Sequence, residues 1–355
     1  MHRSDVIIIG GGIAGGSLAA KLSGRANVVL LEAEDICGYH TTGRSAAMFE
    51  KYYGNDVVRT LARNSEAELR AVDVLTPRGV MLIADSADAH LMDAMIAEPD
   101  TRRLSIDEAC TMVPILRAQN ITDVALEMSG CDIDVDLLFQ GYLRRARANG
   151  AVIVTKAKVQ ALRHDDDWIA TTAQGDFSAP IVVNAAGAWA DKIAAMAGVQ
   201  PLGVQPYRRS MARIAAPMGY DISGWPMLLS ASESWYAKPD AGKWLVSAAE
   251  EDPVEPMDAW ADDMVLAEGL ARYQEFVTAP VTRVENSWAG LRSFAPDRTP
   301  VVGFDPAARG FFWLAGQGGY GVQTAPAISD LAAALLQNTA VDAGTARALS
   351  PERFT

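Results

Sequence analysis

Three glycines near the start of the chain have a spacing that suits the binding of a dinucleotide. Gly10, Gly12 and Gly15 form G-x-G-x-x-G directly after the apolar run V-I-I-I. The first glycine allows a sharp turn, the second lets backbone N–H groups approach a pyrophosphate, and the third allows a helix to pack closely on a strand. Glu32 follows the next apolar run, near the offset at which an acid binds ribose hydroxyls. The pattern predicts an NAD or FAD site rather than an NADP site, although such a turn also occurs where it serves packing alone.

Residues 151–187 carry a second signal for the same kind of ligand. We predict strands over residues 151–154, 159–163, 168–172 and 181–183, with turns at residues 164–167 and at Gly175-Asp176. Ala185, Ala186 and Gly187 then form a small-residue exit where the backbone can lie against a ligand. The pattern T-x-x-G-x-x-x-A-x-x-V-V-x-A-x-G resembles the second fingerprint of FAD enzymes of the glutathione-reductase type. It favours FAD over NAD, and a plain three-stranded meander is the alternative.

A third glycine-rich loop occupies residues 316–321. We predict a buried strand over residues 310–315 before it and an alanine-rich helix over residues 324–336 after it. The positive end of such a helix suits the N1–C2=O edge of an isoalloxazine, where negative charge gathers on reduction. The alternative is that these glycines serve a tight turn only.

Composition excludes several classes of function. The 355 residues include 31 Lys and Arg against 44 Asp and Glu, and the formal charge of −13 disfavours nucleic-acid or anionic-membrane partners. Three cysteines without C-x-x-C spacing and four unclustered histidines indicate neither a disulfide framework nor a metal site. The glycine spacing argues against a secretory signal at the N-terminus, and no transmembrane run is present. We therefore expect a cytoplasmic protein.

The length predicts two domains. We assign residues 1–76, 137–198 and 287–355 to an FAD-binding domain and residues 77–136 and 199–286 to a substrate-binding domain. Residues 206–248 alternate strand-like runs with turns, such as the one at residues 239–242, which suggests an antiparallel sheet. The predicted fold class is α/β, with an FAD-binding Rossmann-type domain of the glutathione-reductase type and an α+β substrate domain that contains a large antiparallel sheet.

Seven ordered strings give the chain a resemblance to a known family. They are G-Y-H-T-T-G-R-S-A-A from Gly38, D-I-D-V-D from Asp132, V-N-A-A-G-A-W from Val183, P-L-G-V-Q-P-Y-R-R-S from Pro201, W-P-M-L from Trp225, W-A-G-L-R-S-F from Trp288 and Q-G-G-Y-G-V-Q-T from Gln317. The chain resembles the D-amino-acid oxidase and glycine oxidase superfamily of FAD enzymes, most closely bacterial D-arginine dehydrogenases, from Asp5 to about Gln337. Fold and cofactor transfer with such a resemblance, but substrate does not.

The resemblance implies roles for individual residues. Arg209 and Arg292 would hold a substrate carboxylate, because their forked guanidinium groups pair with it bidentately and stay charged. Tyr53 and Tyr236 would add hydroxyl groups to the pocket, while Gly319 and Gln323 would approach the substrate amine and the flavin. The expected contacts of FAD are Gly10, Gly12, Ile13, Ala14, Gly15, Glu32, Thr42, Gly43, Arg44, Ser45, Ala46, Val159, Ala185, Ala186, Gly187, Trp189, Gly290, Arg292, Gly318, Gly319, Tyr320, Gly321, Val322 and Gln323.

Departures from the family pattern bear on the substrate. Val80 aligns with the acid that binds the cationic side chain in D-arginine dehydrogenases, and Met48 and Glu50 replace a histidine and a threonine of the active-site loop. Val80 and Met48 favour a neutral or apolar side chain, whereas Glu50, if it points inward, could hold a cationic one. His40 stands near the position where some relatives attach FAD covalently, but the resemblance implies non-covalent FAD.

These features predict an FAD-dependent D-amino-acid dehydrogenase or oxidase. Hydride would pass from the α-carbon to flavin N5, and the imino acid would hydrolyse to a 2-oxo acid and ammonia. This chemistry depends on positioning and needs no metal. The electron acceptor is oxygen or a quinone. Alternatives are a glycine or sarcosine-type amine oxidase, a flavin-linked 2-hydroxy-acid dehydrogenase, which would want a histidine base, and a non-catalytic flavin-bound subunit.

Overall fold

The computed structural model describes residues 2–354 as a mixed α/β fold. The strands are β1 (His2–Arg3), β2 (Val6–Ile9), β3 (Val28–Leu31), β4 (Met48–Phe49), β5 (Leu75–Pro77), β6 (Val80–Ala84), β7 (Thr101–Leu104), β8 (Asp123–Glu127), β9 (Cys131–Ile133), β10 (Val152–Val154), β11 (Val159–His164), β12 (Trp168–Thr172), β13 (Gly175–Ala179), β14 (Ile181–Asn184), β15 (Gln205–Ile214), β16 (Met227–Ser230), β17 (Tyr236–Asp240), β18 (Lys243–Ser247), β19 (Asp252–Pro253), β20 (Val284–Phe294), β21 (Val301–Phe304) and β22 (Phe311–Ala315). The helices are α1 (Ile13–Leu22), α2 (Asp56–Ala71), α3 (Met92–Ile96), α4 (Ile106–Met112), α5 (Val135–Ala148), α6 (Ala190–Met196), α7 (Asp263–Phe276), α8 (Gly321–Leu336) and α9 (Ala343–Leu349).

A six-stranded sheet carries the first glycine-rich turn. Its order is β10-β3-β2-β14-β22-β21, and every pair is parallel except β21 with β22. The sequences V-I-I-I of β2 and V-V-L-L of β3 are buried throughout, as expected for parallel strands covered on both faces. Helices α1, α5 and α8 cover one face, and a four-stranded sheet with α6 covers the other. The predicted strand-turn-helix unit is confirmed.

The four-stranded sheet has the order β1-β13-β12-β11, and in it two of the predicted strands, β11 and β12, form a meander with β13. Strands β11, β12 and β14 match the predicted segments to within one residue at each end. The turn predicted at Gly175-Asp176 is wrong, because those residues already pair with β12 as part of β13. The reversal falls instead on Ala173 and Gln174, where the N–H of Gln174 donates to the Thr172 hydroxyl and the hydroxyl donates to the carbonyl of Gly175.

A nine-stranded sheet holds the predicted substrate-binding region. Its order is β19-β15-β18-β17-β16-β6-β8-β7, with β20 paired along β15. All pairs are antiparallel except β16 with β6, so the expected antiparallel sheet is present with one parallel junction. In the chain β16 follows β15 and is far from β6, so no hairpin joins β6 to β16 and the two strands can pair in parallel.

Strand alternation divides this sheet into two faces. Trp235, Trp244 and Val246 belong to a cluster that also contains residues of α4 and α7. Met211 and Tyr236 belong to a different cluster on the opposite side. Because alternate residues share a side, Arg209 lies on the face of Met211, and Lys238 on the face of Tyr236. We call this side the inner face.

Two features connect the sheets. A small sheet of order β4-β9-β5 places Met48 opposite Asp132. Strand β20 runs without a break across residue 287, where we place a domain limit from sequence, and it pairs with β15 over its whole length. The limits of the two domains stay a prediction.

The sequence predicts that this helix begins at Thr324, but α8 begins three residues earlier, at Gly321. The N–H of Thr324 bonds to the carbonyl of Tyr320 at 3.1 Å, which closes the first turn three residues early. As a consequence, Val322 and Gln323 belong to the helix and their side chains are fixed by it. None of the helices within residues 2–354 has the length and apolar character required to cross a membrane.

Candidate active site

A cavity of about 690 Å³ lies between the six-stranded sheet and the inner face. The cavity is lined by the β2–α1 turn, the end of β3, residues 38–46, residues 185–189 after β14, and parts of β15, β20 and the β22–α8 loop. Most of the residues expected to contact FAD line this one cavity: Gly10, Gly12, Ile13, Ala14, Glu32, Thr42, Arg44, Ser45, Ala46, Val159, Ala185, Ala186, Gly187, Trp189, Gly290, Arg292, Gly318, Gly319, Gly321 and Val322.

Four expected FAD contacts do not line the cavity, and the structure gives each another task. A Cβ atom on Gly15 would lie 2.0 Å from the carbonyl oxygen of Gly10, so this glycine allows α1 to pack on the turn. Gly43 donates its N–H to the carbonyl of Gly38 at 2.8 Å. Tyr320 packs edge-on against Tyr53, and Gln323 bonds to a neighbouring backbone as described below.

The β2–α1 turn forms a cradle for an anion. Gly10 has φ +111°, and a Cβ atom there would lie 2.3 Å from the carbonyl oxygen of Ala185. Gly12 caps α1 without a side-chain hydrogen bond, and the first turn contains no acidic residue. The Thr42 hydroxyl accepts the N–H of Ile13 at 2.9 Å. A helix N-terminus open in this way attracts phosphate, so these residues fit a pyrophosphate.

Glu32 lies at the end of β3 with its carboxylate held by two backbone groups. Oε2 accepts the N–H of Gly11 at 2.8 Å, and Oε1 accepts the N–H of Glu34 at 2.9 Å. Each oxygen keeps a further lone pair for a ligand hydroxyl. The carboxylate lines the cavity, and it therefore joins the glycine turn to the place where a ribose would lie.

Replacing Glu32 tests this assignment. We expect Glu32→Ala to weaken FAD binding by about 1–3 kcal/mol, because both the ribose and the N–H of Gly11 lose a charged acceptor. Retention of flavin absorbance after dialysis, followed by titration of the apoprotein with FAD, measures the change. Glu68→Ala, an acid of the helical layer paired with Lys21, serves as the control. Full flavin occupancy of Glu32→Ala after dialysis would count against the assignment.

Arg44 is engaged with a loop of the substrate-binding region. Its guanidinium donates to Asp258 Oδ1 at 2.5 Å and to the carbonyls of Ala259 and Ala289 at 2.8 and 3.2 Å. The Tyr39 hydroxyl donates to the other oxygen of Asp258 at 3.1 Å. Arg44 thus connects residues 258–259 to the rim of the cavity. The string G-Y-H-T-T-G-R-S-A-A, to which Arg44 belongs, does not predict this contact.

The two arginines expected to hold a carboxylate lie on neighbouring strands of the inner face. Arg209 of β15 pairs with Gly290 of β20, so Arg292 is its diagonal neighbour on the same side. Both line the cavity. Arg209 has an ion pair with Glu251 at 3.1 Å, while its buried Nε has no partner. Burial, and then the positive charge of Arg292, lower the pKa of Arg209 from its ordinary value, which an anion placed between the two arginines would reverse.

Arg292 has no carboxylate partner among residues 2–354. Its Nη1 donates to the hydroxyl of Tyr53 at 3.2 Å. A Cβ atom on Gly319 would lie 3.0 Å from its Cζ, so the absence of a side chain there lets the guanidinium lie against the β22–α8 loop. A half-buried guanidinium without a counter-ion fits an anionic ligand.

The other expected substrate contacts lie next to residues that line the cavity. Tyr236 donates to Sδ of Met211 at 3.4 Å, and Met211 lines the cavity. Tyr53 bonds to Arg292, and Met48 contacts the cluster of Met211 and Tyr236; neither they nor Glu50 and Gln323 are among the lining residues. Gln323 Oε1 accepts the N–H of Glu50 at 2.8 Å, and its buried Nε2 has no partner.

Lys238 is a buried cation that sequence reasoning missed. It is 6% exposed, and its Nζ donates to the carbonyl of Ala46 at 2.9 Å and forms an ion pair with Asp132. Asp132 also accepts from Arg78 Nε at 2.7 Å. A lone lysine among apolar residues in W-Y-A-K-P was the available signal. Within residues 2–354, no group of three or more His, Cys, Asp and Glu is arranged to bind a metal.

The fold and the cavity define an oxidoreductase that binds a dinucleotide at a β-α-β turn. The chain matches the family model described as FAD dependent oxidoreductase (DAO) over residues 5–335, and it belongs to that family. Its cofactor is FAD, and it acts in the oxidation of amines or amino acids. The closer likeness to D-arginine dehydrogenases stays a prediction.

Known relatives cover nearly the whole chain. Glycine oxidase of Geobacillus kaustophilus (strain HTA426) is 26% identical over 95% of this chain and 93% of its own length. The mitochondrial sarcosine dehydrogenase of Homo sapiens is 25% identical over 87% of this chain but 37% of its own length. The crystal structure of L-proline dehydrogenase from P. horikoshii superposes with a TM-score of 0.84 at 20% identity, over 99% of this chain and 98% of that one, and this likeness shows the fold.

Proposed function

We propose that the protein carries out FAD-dependent oxidative deamination of a D-amino acid with a neutral or apolar side chain. The observation that carries the proposal is Arg292, a cavity-lining guanidinium that has no carboxylate partner among the described residues and lies diagonal to Arg209. A substrate carboxylate between the two would supply the counter-ion that Arg292 lacks, beside Arg209, which is already paired with Glu251. The D configuration rests on the resemblance to D-amino-acid enzymes.

The proposed roles of the chain follow from the site. Arg209 and Arg292 bind the carboxylate, and Tyr53 fixes Arg292 through its hydroxyl. The chemistry that FAD supplies when bound is acceptance of a hydride from the substrate α-carbon, which leaves an imino acid for hydrolysis. The glycine turn, Glu32, Thr42 and residues 185–187 would hold the cofactor. Catalysis then depends on positioning, since the reacting C–H bond must be held in one orientation.

The inner face supports a neutral side chain. Met48 and Leu229 pack with Val80, Leu82 and Ala125 in one apolar cluster. Met48 and Leu229 also contact the cluster of Met211 and Tyr236 next to the arginines. Such a surface would bind an apolar substituent by burial, and the thioether of Met48 adapts to different shapes.

A glycine or sarcosine-type amine oxidase is the second candidate. Two of the relatives named above are a glycine oxidase and a sarcosine dehydrogenase, and the carboxylate of glycine or sarcosine would also suit the arginine pair. A 2-hydroxy-acid dehydrogenase has less support, because the histidine in the cavity wall, His40, is bonded to Glu34 near the Glu32 end rather than the arginine end. The unpaired arginine also argues against a non-catalytic flavin subunit.

Anaerobic reduction of the bound flavin tests the proposal. We expect D-methionine, D-leucine or D-phenylalanine to bleach the flavin absorbance more efficiently than L-amino acids, glycine, sarcosine, D-arginine or D-lysine. Bleaching by sarcosine or glycine alone would favour the second candidate. Preference for D-arginine or D-lysine would contradict the neutral side chain. Reoxidation with oxygen or a soluble quinone then identifies the electron acceptor, which we expect to be one of these two.

The cofactor is expected to be non-covalent. Acid precipitation of the purified protein releases a yellow supernatant in that case. Flavin that stays with the pellet would show a covalent bond and would direct attention to His40.

A further inference from the structure

We propose that Glu50 accepts the proton that the α-ammonium group of the substrate must lose before oxidation. This inference rests on the proposed function. In the step, an N–H bond of the ammonium breaks and an O–H bond forms on the carboxylate. The electron pair stays on nitrogen, which becomes a neutral amine, and no oxidant takes part.

Glu50 is fixed next to the arginine end of the cavity. It directly follows β4, and its N–H donates to Gln323 Oε1 at 2.8 Å. Gln323 lies in the first turn of α8, immediately after Gly321 and Val322, which line the cavity. The carbonyl of Glu50 accepts the N–H of Tyr53 at 3.5 Å, and the hydroxyl of Tyr53 binds Arg292. Glu50 is therefore joined through one side chain to the proposed carboxylate site.

The carboxylate of Glu50 is free to take a proton. Among residues 2–354 it has no hydrogen-bond or ion-pair partner. Two nearby acids differ: Glu127 accepts the N–H of Ser129, and Glu251 pairs with Arg209 and Arg298. An α-amino group lies one carbon away from the carboxylate that Arg292 would bind, so its proton acceptor must lie near Arg292, and Glu50 is linked to Arg292 through Tyr53.

The surroundings of Glu50 raise the pKa of its carboxyl group to near neutral pH. Burial raises its pKa first, and the negative charges of Glu127 on β8 and Glu233 after β16 raise it further. The positive charges of Arg292 on β20 and Lys238 on β17 act in the opposite direction, and the resulting pKa is about 7. Tyr53, in the segment after β4, and Gln323, in α8, also adjoin Glu50. A base of this pKa works efficiently at neutral pH.

The proposed reaction requires that the substrate ammonium group lose a proton. At neutral pH a free amino acid carries an ammonium group, and a hydride cannot leave the α-carbon until the nitrogen lone pair is available. The two arginines interact with the carboxylate and cannot accept a proton. Without Glu50, the site would depend on the small fraction of substrate that is already deprotonated in solution.

The pH dependence of anaerobic flavin reduction tests the inference. In the wild type, we expect the rate constant to rise with pH through about 7 and then level off, because ionised Glu50 is the active form. In Glu50→Gln, it should be roughly a hundredfold lower at pH 7.5 and keep rising toward the pKa of the substrate amine. Glu50→Asp should restore in part the rise of the rate constant near pH 7. Glu127→Gln should move this rise to lower pH, because it removes a negative charge that raises the pKa of Glu50.

A binding measurement gives a readout besides activity. 2-Aminoisobutyrate has no α-hydrogen and cannot be oxidised. At pH 6, below the pKa of about 7 of Glu50, its binding to the wild type should release close to one proton per site, because Glu50 must lose its own proton to accept that of the ammonium, whereas Glu50→Gln should release few. Calorimetry in two buffers measures the difference, and Glu268→Gln, an exposed acid of α7, is the matched control.

The outcomes separate the two proposals. If no amino acid or amine reduces the wild-type flavin, the proposed function fails and the inference fails with it. If the wild type is reduced but Glu50→Gln keeps the wild-type pH profile and proton release, the inference alone is wrong.

Discussion

Arg292→Met is expected to lower the efficiency of flavin reduction by an amino acid roughly a hundredfold or more. The substitution removes one partner of a buried charge pair, a loss on the order of 2–5 kcal/mol. Methionine keeps an unbranched side chain without the charged group, and the cofactor cradle lies at the other end of the cavity, so FAD should stay bound. Stopped-flow reduction under anaerobic conditions measures the rate constant and the substrate affinity separately.

Two controls distinguish carboxylate binding from a structural role. Amines without a carboxylate should reduce Arg292→Met and the wild type with similar efficiency. Arg102→Met removes the same charge from β7, where the arginine is exposed and paired with Glu108, and it should have no effect. Equal losses with both kinds of substrate would show that Arg292 supports the fold rather than the substrate.

Gly15→Ala is expected to destabilise the protein by about 3 kcal/mol or more and to abolish FAD binding. The added Cβ atom would lie 2.0 Å from the carbonyl oxygen of Gly10 and 3.1 Å from side-chain atoms of Ile8 and Leu30. The nearest of these atoms is backbone, so α1 must move away from the β2–α1 turn, and overpacking of this kind exceeds the usual cost. Thermal unfolding and flavin content of the purified variant report the two effects.

The matched control is the same substitution in another helix. Gly141 lies within α5, and a Cβ atom there would meet nothing closer than Arg144 Nη2 at 4.0 Å. Gly141→Ala should therefore stabilise the protein by about 0.5–1 kcal/mol, because alanine loses less conformational entropy in a helix. A Gly15→Ala variant as stable as the wild type, and yellow, would overturn the packing role of Gly15.

Local patterns predicted the cofactor end of the site well. The glycine spacing, the acid after β3 and the small residues after β14 are short-range signals. Gly10, Gly12, Glu32 and residues 185–187 line the cavity, and Gly15 lets α1 pack on the turn. The turn predicted at Gly175-Asp176 was misplaced by two residues. Glycine marks a turn only approximately, and here Gly175 pairs with Thr172 as the first residue of β13, while the Thr172 hydroxyl holds the reversal before it.

The substrate end depended on strand register, which one sequence does not reveal. The alignment gave Val80 in place of an acid, but β6 pairs with β8 so that Glu127 lies directly opposite Val80. Forty-seven positions separate the two residues, and nothing local links them. Lys238 and Met211 escaped notice for the same reason, because their importance comes from the neighbours that the nine-stranded sheet gives them.

The order of strands in that sheet has a consequence for the evolution of new specificities. The proposed carboxylate-binding arginines lie on β15 and β20 at one side, whereas Val80, Glu127 and Leu229 lie on β6, β8 and β16, with β18 and β17 between the two groups. Mutations in the second group can accumulate without shifting the strands that carry the arginines. A lineage built on this scaffold can therefore exchange one side-chain preference for another in small steps while every intermediate still holds the part common to all amino acids.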